Sequence, residues 1–88
     1  MKPVVYILQD TISDKYYVGS TTNLDRRLKQ HNAGHTQTTR NSKWRLVFHQ
    51  GTKSILEARE AEKRIKSWKR RDYIDRIVRE GRISFLDA

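Results

Sequence analysis

The sequence predicts an α+β domain: a small, three-stranded, mostly antiparallel sheet flanked by helices in the order β-β-α-β-α-α. Three observations lead there. Two β-branched and aromatic runs, VVYIL from Val4 and YYV from Tyr16, stand a turn's length apart. A third such run, WRLVFHQ from Trp44, follows after a helix-length segment and a polar stretch. Beyond it, two segments repeat their apolar residues at the helical period. At 88 residues the chain is expected to be one domain, over positions 1–88, with a modest core.

Residues 4–9 have the composition of a buried strand. Asp10 to Lys15 supply turn chemistry through two aspartates and a serine, so residues 4–19 read as an antiparallel hairpin. Alternation puts Tyr6 on one face with Val4 and Leu8, and Tyr17 with Lys15 and Gly19. Gly19, at the strand end, marks a bend or a place where another group comes close to the backbone.

A helix follows, capped by Thr22 or Asn23, with Asp25 suited to its first turn. It is expected to end near Ala33, with Gly34 as a left-handed cap. Helical spacing puts Leu24, Arg27, Leu28 and His31 on one side, and Arg26 and Lys29 on the other. Arg27 therefore leans toward the core and Arg26 toward solvent. Residues 35–43 read as a polar loop, and the third strand closes at Gly51.

Ser54, with Glu57 three residues on, begins a long helix over 54–71 by the capping-box pattern. Its apolar arc is Ile55, Ala58, Ala61, Ile65 and Trp68, and Glu62 lies inside that arc. A last helix starts near Asp72, buries Ile74, Ile77 and Val78, and stops at Gly81. The apolar tail ISFL then packs back on the domain.

Nineteen Lys and Arg against ten Asp and Glu give a net charge of +9, which favours polyanionic partners, nucleic acid first. Arg26, Lys29, Arg40, Lys63, Lys66, Lys69 and Arg70 are the expected nucleic-acid contacts. The chain has no cysteine, which excludes disulfides and thiolate metal sites. No run is long and apolar enough to span a membrane, and no signal-peptide pattern opens the chain, so a cytoplasmic protein with no membrane partner is expected.

An inward carboxylate on a basic domain invites a reading as phosphodiester chemistry. Such hydrolysis needs a base for the water, a cationic grip on the phosphate and help for the leaving oxygen. One carboxylate can hold a water-rich divalent cation, and an arginine can grip phosphate with two donors. Tyr17, Tyr6 and His31 are candidate bases. A phenol, with its ordinary pKa near ~10, needs nearby cations for that task. Each residue also has a purely structural reading. The tyrosines can be core, His31 an ordinary helix residue, and Glu62 the partner of Lys66 in a surface bridge of ~0.5 kcal/mol or less. The place of Glu62 in the apolar arc argues against that last reading and for a metal ion or an arginine.

Two strands bearing tyrosines, followed by YVG, a helix, Arg and His, resemble the GIY-YIG nuclease family. The first signature stands as Val4-Val5-Tyr6 and the second as Tyr17-Val18-Gly19, with ten residues between the tyrosines. The runs YVGSTTNLDRRLKQHN and EAREAEKRIKSWKRR extend the resemblance to about residues 3–80, and the small stand-alone subgroup is the most similar. The resemblance implies that Tyr17 is the general base, Tyr6 a supporting hydroxyl and Arg27 the phosphate clamp. It makes His31 an assistant at the base or the phosphate, and Glu62 the ligand of Mg²⁺, with Mn²⁺ as a substitute. Two departures stand out: Val4 replaces a glycine, and Ser20 stands where some relatives have a lysine.

Three function classes follow. The favoured one is a Mg²⁺-dependent endonuclease acting on DNA in preference to RNA. It would have weak sequence preference and a role in repair or recombination. Structured DNA or a targeting partner protein would then supply specificity. The second is a nucleic-acid-binding module with little catalysis, and the third an accessory protein for an acidic partner. Oligomeric state is left open.

Overall fold

The computed structural model describes residues 2–32, 44–68 and 71–83. Its elements run β1 (Val4–Asp10), β2 (Tyr16–Thr21), α1 (Leu24–Asn32), β3 (Trp44–Gly51), α2 (Ile55–Ser67) and α3 (Arg71–Glu80). This is the expected α+β order. The three strands lie in the order β2-β1-β3, and both pairings are antiparallel.

β1 is the centre of the sheet, and Val5, Tyr6, Ile7 and Leu8 are all at most 1% exposed. A strand buried on both faces has no polar face to keep, which is why its sequence runs apolar without alternation. On one face Val5 and Ile7 join Val18, Phe48, Ala61, Ile65, Ile77 and Ile83. On the other, Tyr6 and Leu8 join Trp44, with Leu24 and Leu28 of α1 packed against them. The sheet is thus sandwiched between α1 on one side and α2 with α3 on the other.

β3 departs from simple alternation. Ile7 pairs with Phe48 but Leu8 pairs with Leu46, so Val47 is an extra residue opposite the joint. A bulge inverts the facing of everything beyond it. Phe48 therefore faces the α2 side, while Leu46 and Trp44 pack beside Tyr6 and Leu8.

The caps follow the side chains. Asn23, not Thr22, caps α1: its Oδ1 accepts the Arg26 N–H at 3.1 Å, while the Asn23 N–H reaches Thr21 Oγ1 at 3.0 Å. Ser54 Oγ accepts the Glu57 N–H at 3.1 Å, and Glu57 Oε1 accepts in return from the Lys53 N–H at 3.2 Å. The capping box is present, with its return bond one residue upstream of the usual place. α2 ends at Ser67, before a separate α3, rather than running on to residue 71. Gly81 stops α3 at φ +73°, where its N–H donates to the Ile77 carbonyl at 2.8 Å.

α3 is tied to β2 at its first turn. The Tyr16 hydroxyl donates to Asp75, and Arg71 lies 4.7 Å from the centre of the Tyr16 ring. Of the expected α3 core residues Ile77 is buried, while Ile74 and Val78 are partly so. Ile83, just beyond α3, is buried, and its N–H donates to Gln50 Oε1 at 2.8 Å. Ala33, Gly34, the polar loop at 35–43 and the remainder of the tail lie outside the described residues.

Candidate active site

The site assembles around Gly19. Tyr6 on β1 pairs directly with Gly19 on β2, and the Tyr6 ring lies across the glycine. A Cβ at position 19 would stand 2.5 Å from both the Cζ and the hydroxyl oxygen of Tyr6, closer than any real contact. Close approach, rather than backbone conformation, makes this residue a glycine. Tyr17, two residues earlier, shares that face, with its ring centre 6.4 Å from Tyr6 and 6.0 Å from Trp44, which it meets edge-on.

α1 supplies the cation above this face. Leu24 and Leu28 anchor the helix on the Tyr6 cluster, which leaves Arg27 half-buried beside it. Arg26 is exposed, as expected, yet both arginines border one polar cavity of about 350 Å³ with Thr22, Asn23 and Gln30. The neighbouring arginines are less separated than helical spacing implied. Thr21, which precedes these residues at the end of β2, lines the same cavity.

The acid comes from the opposite face. Ser20, next to Gly19, points toward α2, and its hydroxyl donates to Glu62 Oε1 at 2.6 Å. Glu62 Oε2 accepts from Lys66 Nζ, also at 2.6 Å. The pairing with Lys66 that the apolar arc argued against is therefore made. The Glu62 side chain is 24% exposed: it borders the buried arc rather than entering it, and a flexible lysine reaches it from one turn away. Lys66 also stands 5.6 Å from the centre of the Tyr17 ring, so it bridges the acid and the tyrosine around the strand.

This arrangement needs β2 to be an edge strand. Side chains of Tyr17 and Ser20 leave opposite faces, and only at an edge can groups from both faces meet. The electrostatics reflect the meeting. Burial first, then the neighbouring Tyr17, and more weakly Glu62, push the Tyr6 hydroxyl well above the ordinary phenol range, against an opposing pull from Arg27. Tyr6 accordingly keeps its proton at neutral pH and is not poised to act as a base.

Of the sequence candidates, Tyr6, Tyr17, Arg27 and Glu62 converge here. The His31 backbone lies in α1, but its side chain falls outside the described residues, as do Arg40, Lys69 and Arg70. Lys29 and Lys63 are exposed on their helices. Two further residues meet Glu62. Ser20, noted in the sequence as standing where some relatives have a lysine, hydrogen-bonds to it. Lys66, expected as a nucleic-acid contact, pairs with it at the spacing of four while staying half-exposed. Val4 sits in ordinary extended strand backbone, opposite Thr21 and Gly51, so nothing there demands a glycine.

The GIY-YIG catalytic domain family matches residues 2–74 of the chain. The protein belongs to the GIY-YIG family. Its domain is of the nuclease type, generally an endonuclease acting on nucleic acid with a divalent metal ion. Neither a curated protein nor a solved structure matches the chain significantly. No helix among the described residues is long and apolar enough to cross a membrane.

No cluster of three or more metal-ligating side chains occurs among the described residues. The donor set still fits a hard cation that keeps most of its water: one partly exposed carboxylate, with the Ser20 hydroxyl beside it. Lys66 is 49% exposed and free to swing outward, so Glu62 Oε2 can be released.

Proposed function

We propose that this protein is an endonuclease hydrolysing DNA phosphodiesters, with Glu62 holding Mg²⁺, or Mn²⁺ in its place. The supporting observation is the edge of β2, where two tyrosines, an arginine and a carboxylate from both faces of the sheet surround one glycine. Arg27, with the helix N-terminus beside it, grips the scissile phosphate. Tyr17 takes the proton of the attacking water, and Lys66 sets a positive charge beside that ring. Tyr6, kept protonated, donates a hydrogen bond to the water or to a phosphate oxygen. His31, placed by helical spacing one turn beyond Arg27, assists at the base or the phosphate. The cation, when bound, offsets charge on the departing oxygen.

Sequence preference is weak on this reading, because no described element is suited to reading bases in a groove. Branched or damaged DNA, or a targeting partner, would then provide selection in repair or recombination. One observation favours a second reading, a nucleic-acid-binding module with slow catalysis: both oxygens of Glu62 are already engaged.

Cleavage of a supercoiled plasmid and of labelled single-stranded, duplex and branched oligonucleotides separates the two. With Mg²⁺ or Mn²⁺ the wild type should cut, and EDTA, Glu62→Ala, Arg27→Ala and Tyr17→Phe should each abolish cutting. Binding without cutting on every substrate, unchanged by Glu62→Ala, would leave the binding module.

A further inference from the structure

A second concave surface lies on the other flank of α2, where its C-terminal end meets α3. Arg64, Trp68, Tyr73, Arg76, Glu80 and Arg82 border a cavity of about 360 Å³. The rings of Trp68 and Tyr73 stand 4.9 Å apart at 45°, and Tyr73 is 38% exposed despite its size. Three arginines and one glutamate border it, and Arg76 Nε approaches that glutamate at 3.4 Å.

We infer that this cavity binds an unpaired nucleotide of a single-stranded nucleic acid, its base stacked on the Trp68–Tyr73 pair and its phosphates on Arg64 and Arg82. The chemistry selects this ligand by elimination. A bare phosphate would need no aromatic pair, and an apolar ligand would need no guanidinium cluster. A nucleotide offers a flat π-face and a negative charge a few ångströms away. In a duplex the base faces are stacked inward, so only an unpaired strand can present one. The surface is distinct from the site at Gly19, because the buried Ala58, Ala61 and Ile65 of α2 lie between Glu62 and Arg64 around the helix. This inference deepens the nuclease reading, on which it rests for nucleic acid as the ligand.

The test is anisotropy of a labelled oligothymidylate and of a blunt duplex of equal length, in EDTA so that nothing is cut. Tyr73→Leu should weaken oligothymidylate binding about tenfold, a stacking-sized effect, and change duplex binding less than about twofold. Arg82→Gln, also on an exposed segment, should weaken oligothymidylate binding and flatten its salt dependence. Tryptophan emission should be quenched by oligothymidylate in Trp44→Phe, where Trp68 is the remaining tryptophan. Oligothymidylate binding that is unchanged in Tyr73→Leu, or lost equally on duplex, would overturn the inference, as would emission left unquenched in Trp44→Phe. A failure to cut DNA with metal present would instead sink the nuclease reading, and these binding results would be unaffected.

Discussion

The two flanks of α2 are built from the same basic helix and are lined differently. On one flank Glu62 and Lys66 close on each other and on Ser20, next to two tyrosines. On the other, Arg64 and Trp68 open toward Tyr73 and the arginines of α3 and its exit. On this second flank the one bordering carboxylate, Glu80, is paired with Arg76. Net charge bears on the proposed adhesion, and the placement of Glu62 beside the tyrosines bears on the proposed chemistry.

Substituting that acid should produce the widest contrast. Glu62→Gln keeps the shape and the Ser20 contact, so single-turnover cleavage should fall about a thousandfold, ~4 kcal/mol of barrier. Oligonucleotide binding in EDTA should stay within about twofold. Equal losses in both would make the two flanks one surface and break the comparison.

Gly19→Ala comes next, because its methyl would enter the Tyr6 ring. Tyr6 is buried and cannot retreat without disturbing the sheet, so thermal melts should show a loss of about 1–3 kcal/mol, with cleavage falling further than stability explains. Binding at the Tyr73 cavity should survive wherever the domain is folded.

Alkali tests the same tyrosine through its proton. The folded-state pKa of Tyr6 lies above its unfolded value near ~10, so its contribution is fully present below about pH 10 and is lost as pH rises beyond it. Tyr16 is raised too, by burial and by its bond to Asp75, and acts in the same sense. Melting temperature should therefore hold up to about pH 10 and then fall, each phenol steepening the slope by at most ~1.4 kcal/mol per pH unit. Tyr16→Phe should soften that fall.

A smaller effect separates the roles of Lys66. Lys66→Met should alter stability by less than ~0.5 kcal/mol, as for an exposed helical pair, while slowing cleavage several-fold through the lost charge beside Tyr17. Smallest of all, Glu80→Gln breaks only the pair with Arg76 on the far flank. It should leave cleavage unchanged and shift the melt by a few tenths of a kcal/mol.

Much of the fold was legible because local rules and tertiary packing agree. The caps at Asn23 and Ser54, the stop at Gly81 and the doubly buried β1 each follow from residue chemistry. The bulge at Val47 was not legible, since neither glycine nor proline marks it and the fit of two opposed clusters demands it. Within the site, Tyr6, Tyr17, Arg27 and Glu62 could be picked out by spacing and by resemblance. The partnership of Ser20 with Glu62 spans forty-two positions and depends on how α2 lies over β2, which no local pattern records. The Trp68–Tyr73 contact crosses from the end of one helix into the next, and a single continuous helix over 54–71 would have hidden it.

Among the described residues β2 has one neighbouring strand, so it forms an edge of the sheet. An enclosed pocket would have to be threaded from the end of a polymer, whereas a rim can be approached broadside. On the nuclease reading, a closed circle should therefore be cut as readily as a short linear fragment, at any point along its length.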